Sequence, residues 1–434
     1  MKDDLPSADA TGGTPDPLRR TLLQAGLGLG ALGFGSAKAA APAAIVPSIG
    51  VDLPPATEAV SAFRVAIASD AIEDLRRRLA MTRWPEQETV NDWSQGVPLA
   101  RARALIDYWR DSYDMGRLER RLNAFAQFRT SVDGLGIHFL HVRSKHTNAL
   151  PIILTHGWPG SVIEFLDVIG PLTDPEAHGG RAEDAFHVVI PSLPGYGFSD
   201  KPTQTGWNVP RIATAWSTLM KRLGYDRWVA QGGDWGAHVT TWLGKQQPEG
   251  LVAIHLNLPT LSPPPLEGEP TAEEKAAIVQ LRAFGSTMSA YGSIQRTRPQ
   301  TLGYGLVDSP VGQATWIYEK FAEWSDSNRN PESVLSRDAM LDDIMLYWLT
   351  ATAASAARLY AESADHTGRQ VVDIPVGVSV FPGEIYQPPR IWGERTYPKL
   401  FYWNRVARGG HFAAFEQPAL FTAELRACFA HIRT

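Results

Sequence analysis

The segment QGGDWGAH, residues 231–238, is the most informative part of this sequence. An apolar run at 228–230 precedes it, which predicts a buried strand that ends where the glycines begin. The pattern Gly-x-Asp-x-Gly places small residues around Asp234, as a sharp and strained strand-to-helix turn requires. Such a turn usually presents a serine, so the acid is the unusual feature. The pattern predicts a projecting carboxylate, and a glycine-flanked aspartate that only caps a helix is the alternative.

Short apolar runs alternate with helical stretches from about residue 150 onward. This alternation is typical of a mostly parallel sheet that helices cover on both faces. It stops between 261 and 370, where helical, aromatic-rich sequence indicates an inserted cap. Together with the turn at Asp234, the pattern predicts an α/β-hydrolase fold with a mostly parallel central sheet and the cap before the next-to-last strand. The predicted strands are 151–154, 186–190, 228–230, 252–256, 376–380 and 400–403.

The predicted core is divided by the cap into residues 128–260 and 371–434. Its first strands form a hairpin around Asp133-Gly134, because alternating residues flank a turn dipeptide there. Residues 40–127 are predicted to contain an Ala- and Pro-rich linker and then a helical N-terminal region. The formal net charge of −5, with no basic stripe, argues against a nucleic-acid-binding protein.

Residues 1–39 have the features of an export signal. Arg19-Arg20 precede a Gly-, Ala- and Leu-rich run, and residues 37–39 give the small-x-small pattern that a signal peptidase recognises. We therefore predict a twin-arginine-type signal peptide and a periplasmic location, with an uncleaved N-terminal membrane anchor as the alternative. The apolar run is shorter than the roughly 20 residues of a membrane span, so we expect no span in the mature chain.

The histidine that serves as base should follow the last strand of this fold and precede the last helix, which is the position of His411. His187 and His255 lie inside apolar strands, and His238 lies one helical turn past Asp234. These three positions favour packing roles.

The acid that orients the histidine should end the preceding strand, and FPGE at 381–384 places Glu384 there. Asp373 precedes the same strand and would lie at the wrong end of the sheet. Asn257 follows another strand, but an amide cannot serve as the acid.

The segment LTHGWPG, residues 154–160, follows a predicted strand where this fold presents an oxyanion hole. We predict that the backbone N–H groups of Trp158 and Trp235 stabilise developing negative charge there. The indole N–H groups of the same two tryptophans could instead bind a departing halide, and packing of the indoles as pocket walls is the alternative to that second role. We interpret His156 as a residue that stabilises the turn.

An aspartate nucleophile changes the chemistry that this fold performs. A carboxylate is already an anion at neutral pH and can attack a saturated carbon to form an ester, which leaves the histidine free to activate water. Epoxides and carbon–halogen bonds are activated enough for such attack. An epoxide also needs a proton donor, and a tyrosine with an ordinary pKa of about 10 is suitable. Tyr291 and Tyr360 both lie in the predicted cap.

The motifs together resemble microsomal-type epoxide hydrolases, including the juvenile-hormone-cleaving members. The resemblance runs from about residue 60 to the C-terminus and includes YGSIQ at 291–295, RPQT at 298–301, DSPVG at 308–312, FPGE at 381–384 and GGHFA at 409–413. It departs at the N-terminus, where the eukaryotic relatives carry a membrane anchor and this chain carries an export-like leader.

The resemblance implies a role for each of five residues. It makes Asp234 the nucleophile, His411 the base that activates water, Glu384 its orienting acid, and Tyr291 and Tyr360 the ring-opening acids. The expected substrates are a small apolar epoxide and water, with no cofactor and no metal. Two alternatives are a haloalkane dehalogenase of the same fold and a non-catalytic ligand-binding protein on a hydrolase scaffold.

Overall fold

A computed structural model describes residues 50–433 except 260, 262, 264–267 and 369. The predicted leader at 1–39 lies outside the described residues. Nine strands form one sheet in the order β1-β2-β3-β5-β4-β6-β7-β8-β9. The strands are β1 (Ser61–Phe63), β2 (Gln127–Val132), β3 (Leu135–Val142), β4 (Leu150–Thr155), β5 (Phe186–Pro191), β6 (Trp228–Gly232), β7 (Leu251–Leu256), β8 (Val376–Val380) and β9 (Leu400–Arg405).

The sheet is mostly parallel, as the sequence predicts. All pairings from β5 through β9 are parallel, whereas β1, β2 and β3 add an antiparallel edge next to β5. Every residue of β5 and β8 is buried, which explains why these strands appear as continuous apolar runs. The predicted hairpin joins β2 to β3, and both turn residues, Asp133 and Gly134, have positive φ. The α/β-hydrolase fold is thereby confirmed.

The N-terminal region contains three helices, α1 (Ser69–Ala80), α2 (Leu99–Asp111) and α3 (Arg117–Asn123). It also contains β1, although we predicted most of the segment before residue 63 as an extended linker. β1 has only three residues, which is too short for a periodic pattern to reveal, and its pairing with β2 makes it a strand.

Among the described residues, six α-helices lie between β7 and β8 and form the cap. They are α7 (Ala272–Ala283), α8 (Ala290–Thr297), α9 (Pro299–Asp308), α10 (Pro310–Trp324), α11 (Arg337–Leu349) and α12 (Ala353–Glu362). The helices that cover the sheet are α4 (Leu166–Thr173), α5 (Val209–Arg222), α6 (Asp234–Gln246), α13 (Arg390–Thr396), α14 (Ala413–Glu416) and α15 (Pro418–Ala430). None of the helices in the described part of the chain is both long and apolar enough to cross a membrane.

A buried carboxylate joins the N-terminal region to the cap. Asp342 on α11 is fully buried and accepts a hydrogen bond from the Tyr113 hydroxyl at 2.7 Å. Arg117 Nε and Arg121 Nη1, both on α3, each lie 3.1 Å from Asp342 Oδ2. A charge buried at this depth needs such partners, so the contact fixes α3 against α11.

Gly236 lies where α6 packs tightly against the sheet. A Cβ atom at this position would overlap the backbone carbonyl oxygen of Thr155 in β4. Because backbone atoms of a central strand cannot move aside, we expect Gly236→Ala to lower the free energy of unfolding by about 3 kcal/mol. Urea denaturation followed by circular dichroism measures this change.

Gly305→Ala is the matched control for that measurement. Gly305 lies on the exposed side of α9, and an added Cβ there would meet no atom within 4 Å. Alanine favours a helix over glycine by about 1 kcal/mol, so this variant should be slightly more stable. Equal effects of the two substitutions would contradict the packing argument.

Candidate active site

Asp234 occupies a strained turn between β6 and α6. Its φ is +49°, in the left-handed region that most side chains avoid and that aspartate tolerates better than most. A Cβ at Gly232 would overlap the carbonyl oxygen of Gly236, which explains the glycines at these two positions. The tight turn places the Asp234 carboxylate beyond the carboxyl end of β6, at the edge of the sheet where functional groups gather.

The backbone N–H of Trp158 donates to Asp234 Oδ1 at 2.7 Å, so the segment after β4 reaches the carboxylate as predicted. Gly157 allows this approach, because a Cβ there would overlap the Asp234 carboxylate. Trp235 makes no corresponding hydrogen bond to Asp234 among the described residues. Its N–H lies in the first turn of α6, where backbone donors lack partners within the helix.

His411 lies between two carboxylates. Its Nε2 is 3.3 Å from Asp234 Oδ2, and its Nδ1 is 2.6 Å from Glu384 Oε1. Glu384 Oε1 also accepts the N–H of Ile385 at 2.8 Å. The two loops meet because Gly383 and Gly410 pair as a parallel bridge. The structure therefore brings the predicted nucleophile, base and acid into one continuous line of contacts.

The charges around His411 determine its protonation. Burial alone would lower the pKa of the imidazole, but the Glu384 and Asp234 carboxylates outweigh it and raise the pKa well above 6.5. The imidazolium form is therefore the resting form of His411 while both carboxylates are charged. Removal of the Asp234 charge would remove one of the two influences that raise this pKa.

Glu416 holds the loop that carries His411, and the sequence analysis missed this role. Its carboxylate accepts backbone N–H groups of Gly410 at 3.0 Å, Phe412 at 3.1 Å and Asp326 at 2.8 Å. Burial raises the pKa of Glu416 to about 7, although these hydrogen bonds oppose the shift. The His411 N–H also donates to a backbone carbonyl, that of Trp324, at 2.8 Å.

Tyr291 and Tyr360 lie side by side above Asp234, with ring centroids 5.9 Å apart. Tyr291 stacks on Trp158 at 5.0 Å, and Tyr360 meets the edge of Trp235 at 4.7 Å. Burial raises the pKa of both phenols, and the negative charge of Asp234 adds to the shift. Both therefore remain protonated and able to donate. The buried Tyr360 hydroxyl has no hydrogen bond of standard geometry in the described part of the chain.

A buried cation lies below Tyr291, and no pattern in the sequence indicates it. Lys320 is only 2% exposed, and its Nζ lies 4.8 Å from the centre of the Tyr291 ring. It is also 2.5 Å from Glu319 Oε1 and 2.8 Å from Glu323 Oε2. The two carboxylates compensate its charge, so this cluster fixes the position of the tyrosine ring rather than adding net positive charge.

A cavity of about 400 Å³ connects Asp234 to both tyrosines. Its walls are mainly apolar and include Leu258, Leu281 and Phe284. His238, for which we predicted a packing role, packs against Trp235 with ring centroids 5.3 Å apart, and it also lines the cavity. Burial lowers the pKa of His238 to about 4, so this imidazole is neutral.

Two other cavities in the described part of the chain can be compared with the positions of the predicted catalytic residues. A larger groove of about 1040 Å³ lies between α1 and α10, but it contains none of the predicted catalytic residues. A much smaller cavity, of about 20 Å³, lies on the other side of Asp234 and includes His411 and Glu164 in its lining. Among the described residues, no group of three His, Cys, Asp or Glu side chains is arranged to hold a metal ion.

The sequence analysis also considered His156, His255 and Asp373, and each has its own contacts in the structure. His156 donates from Nδ1 to the Gly157 carbonyl at 2.9 Å and accepts the N–H of Leu193 at Nε2, which stabilises the turn. His255 is buried and pairs with Ser379 at 2.9 Å. Asp373 lies before β8 and forms an exposed ion pair with Lys399, far along the strand from Glu384.

Comparisons with known proteins point to one family. Residues 60–165 match the family described as "Epoxide hydrolase N terminus", and residues 151–292 match "alpha/beta hydrolase fold". A putative epoxide hydrolase of Stigmatella aurantiaca is 59% identical over 99% of this chain and 98% of the relative. Epoxide hydrolase 1 of Sus scrofa is 34% identical over 85% of this chain and 88% of the relative.

The solved structure of Aspergillus niger epoxide hydrolase has a TM-score of 0.78 to this chain, with 31% identity, and covers 88% of this chain and 100% of the solved one. The matches therefore include the N-terminal helical region, the core and the cap. The chain belongs to the microsomal-type epoxide hydrolase family.

Proposed function

We propose that this epoxide hydrolase converts a small apolar epoxide to a vicinal diol through a covalent ester on Asp234. The observation that carries the proposal is the line of contacts from Asp234 through His411 to Glu384, which faces two protonated tyrosines across one cavity. A carboxylate nucleophile, a base aimed at it and two acids opposite it are what ring opening followed by hydrolysis requires.

In the first step, Asp234 Oδ2 attacks an epoxide carbon and the carbon–oxygen bond of the ring breaks. The departing oxygen takes the proton of Tyr291 or Tyr360, which leaves a tyrosinate and a hydroxyalkyl ester. Asp234 Oδ1 becomes the carbonyl oxygen of this ester and keeps its hydrogen bond from the Trp158 N–H. Esterification also removes the Asp234 charge, which lowers the pKa of His411, so its proton passes to the tyrosinate and a neutral imidazole remains.

In the second step, His411 Nε2 takes a proton from water, whose oxygen attacks the Asp234 carbonyl carbon. The Trp158 N–H stabilises the oxyanion on Oδ1, and we propose that the N–H of Trp235 joins it when that charge develops. The bond between this carbon and Oδ2 breaks, and the diol oxygen takes the proton from His411. The new carboxylic acid then loses its proton to the neutral His411 imidazole, which restores the enzyme.

A single turnover in ¹⁸O-labelled water tests this pathway. Because the diol keeps Oδ2 of Asp234, the first diol formed should carry no label, and the label should appear in the peptide that contains Asp234. Direct attack of water on the epoxide would instead label the diol in the first turnover and contradict the proposal. Haloalkanes offered in parallel test the dehalogenase alternative, because halide release without diol formation would favour it.

The two tyrosines should share the role of acid. We expect Tyr291→Phe or Tyr360→Phe alone to slow ring opening about tenfold, because the other phenol can still donate. The double variant should lose about 100-fold or more, as expected when general acid catalysis is removed. The rate of ester formation under single-turnover conditions is the measurement. Full activity of the double variant would exclude both residues as acids.

Tyr113→Phe is the matched control for the tyrosine variants. Tyr113 is also buried, but its hydroxyl donates to Asp342 Oδ1 at 2.7 Å, and it lines neither of the two cavities that include Asp234. Its substitution should change thermal stability without changing the ratio of ring opening to ester hydrolysis.

A further inference from the structure

Asp234 separates two cavities. The 400 Å³ cavity lies on the cap side and contains the tyrosines, whereas the 20 Å³ cavity, here called the rear cavity, lies between the end of β4 and the His411 loop. Within the described part of the chain, Asp234 is the one residue that lines both. A group in the rear cavity therefore reaches the Asp234 carboxyl from the side opposite the epoxide.

The rear cavity has the size of a single water molecule. A water needs a cavity of about 10–15 Å³ or more on this measure and two to four polar partners. The rear cavity exceeds that volume only slightly, and its polar lining includes His411, Glu164 and Asn257. Asn257 is fixed there, because its Oδ1 accepts a hydrogen bond from Gln231 Nε2 at 2.7 Å. Phe165 and Phe421 supply apolar walls.

Glu164 contributes a carboxyl group to this lining, and the catalytic steps described above give that group no role. It belongs to the short helix Val162–Phe165, whose other three side chains are buried in the core. Burial and the charges of its neighbours are the largest influences on the pKa of its carboxyl group, and no hydrogen bond is among them. A Cβ at Gly160 would overlap this carboxyl group, so the glycine leaves room for it beside the cavity. A carboxyl group that an apolar segment holds beside a cavity of this size is suited to bind a water molecule.

We propose that the rear cavity stores the hydrolytic water and that Glu164 is its second anchor beside His411. The inference rests on the covalent mechanism proposed above. One water proton points to His411 Nε2 and the other to a Glu164 carboxyl oxygen, which leaves an oxygen lone pair free to attack the Asp234 carbonyl carbon. The proton transferred to His411 passes to the diol oxygen as the bond to Oδ2 breaks. Glu164 keeps its own protonation state throughout.

The protonation of Glu164 agrees with this role. Burial raises the pKa of its carboxyl group well above the ordinary value, and the nearby Asp343 carboxyl adds to the shift. A neutral carboxyl group accepts a hydrogen bond from water, but it does not compete with Asp234 as the nucleophile. The epoxide and the water then approach Asp234 from opposite sides, so the diol chain does not have to leave before water attacks.

Substitution of Glu164 tests the anchor. Glu164→Leu should slow hydrolysis of the ester about tenfold or more, because a misplaced water loses its alignment, while the rate of ester formation stays within about twofold. Glu164→Gln keeps a carbonyl acceptor and should recover most of the hydrolysis rate. Rapid quenching and intact-mass measurement give both rates. Equal slowing of the two steps, or an unchanged hydrolysis rate in Glu164→Leu, would overturn the proposal.

A matched pair of small substitutions tests the cavity without removing a polar group. Ala414→Val adds two methyl groups to the lining of the rear cavity, and Ala364→Val adds the same groups to the cap-side cavity. We expect ester to accumulate at steady state in Ala414→Val, whereas Ala364→Val should slow ester formation. If the same fraction of enzyme is present as ester at steady state in both variants, the rear cavity does not supply the water.

The test separates this inference from the proposed function. If wild-type enzyme and His411→Gln form no ester at all, the covalent mechanism fails. If ester forms normally and its hydrolysis responds neither to Glu164 nor to Ala414, the mechanism stands and the water reaches Asp234 by another route.

Discussion

Asp234→Ala should form no measurable diol. Among the described residues that line the 400 Å³ cavity, Asp234 is the one carboxylate, so its loss leaves no anionic group there to attack the epoxide. Removal of a nucleophile that acts together with a base costs roughly 10⁵-fold or more in turnover. Diol formation from racemic aryl and alkyl epoxides, followed by chromatography, measures the loss. Retained activity would exclude Asp234 as the nucleophile.

Two further variants make this result specific. Asparagine tolerates positive φ, so Asp234→Asn should keep the turn at +49° while it removes the negative charge. Asp373→Ala removes a carboxylate from the opposite end of β8, where it pairs with Lys399 on the surface. Asp234→Asn should be as inactive as the alanine variant when assayed directly after purification, and Asp373→Ala should retain wild-type activity.

The residues that the sequence could identify share one property, which is their position directly after a strand. The topology of a parallel sheet brings such positions together, so the contacts among Asp234, His411 and Glu384 follow from the order of the strands. Tyr291 and Tyr360 needed the resemblance, because nothing in their local sequence shows which way a cap side chain points. The structure places both in one cavity with Asp234.

The residues that the sequence could not identify act through contacts between distant segments. Glu416 accepts an N–H from Asp326, which lies 90 positions earlier in the chain. Lys320 reaches Tyr291 only because α10 packs beside α8. A charged residue within the apolar run at 162–166 was a usable signal for Glu164. Its meaning depended on the rear cavity, which only the folded chain contains.

His238 shows what a local argument leaves out. Its spacing of one helical turn from Asp234 predicted packing, and its ring does contact Trp235, with centroids 5.3 Å apart. The same spacing also places it beside the cap-side cavity. The sequence could not show this second environment, because the cavity forms only where the folded cap meets the core.

His411→Gln should separate the two chemical steps, because only the second needs a base. Ester formation requires Asp234 and a tyrosine proton, and both remain in this variant. Ester hydrolysis requires a group that can take a proton from water, which the amide of glutamine cannot do. We expect turnover to fall by about 10⁴-fold, the upper range for removal of a general base. The protein should gain the mass of one substrate molecule.

The loss of His411 also leaves Glu384 buried without its partner, so the fold of the variant must be verified before the mass is interpreted. A thermal melt and the ester stoichiometry together serve this purpose, because an unfolded site cannot form the ester. His255→Gln is the matched control, since His255 is an equally buried histidine that pairs with Ser379 and lies outside both cavities that border Asp234. That control should turn over without accumulating an adduct.

If folded His411→Gln consumes epoxide without an adduct on the peptide containing Asp234, water attacks the epoxide directly and the two-step pathway is excluded. If one equivalent of ester accumulates and persists, His411 is the group that releases the diol. The pKa of His411 is raised in the free enzyme, and esterification of Asp234 lowers it so that the imidazole can act as a base.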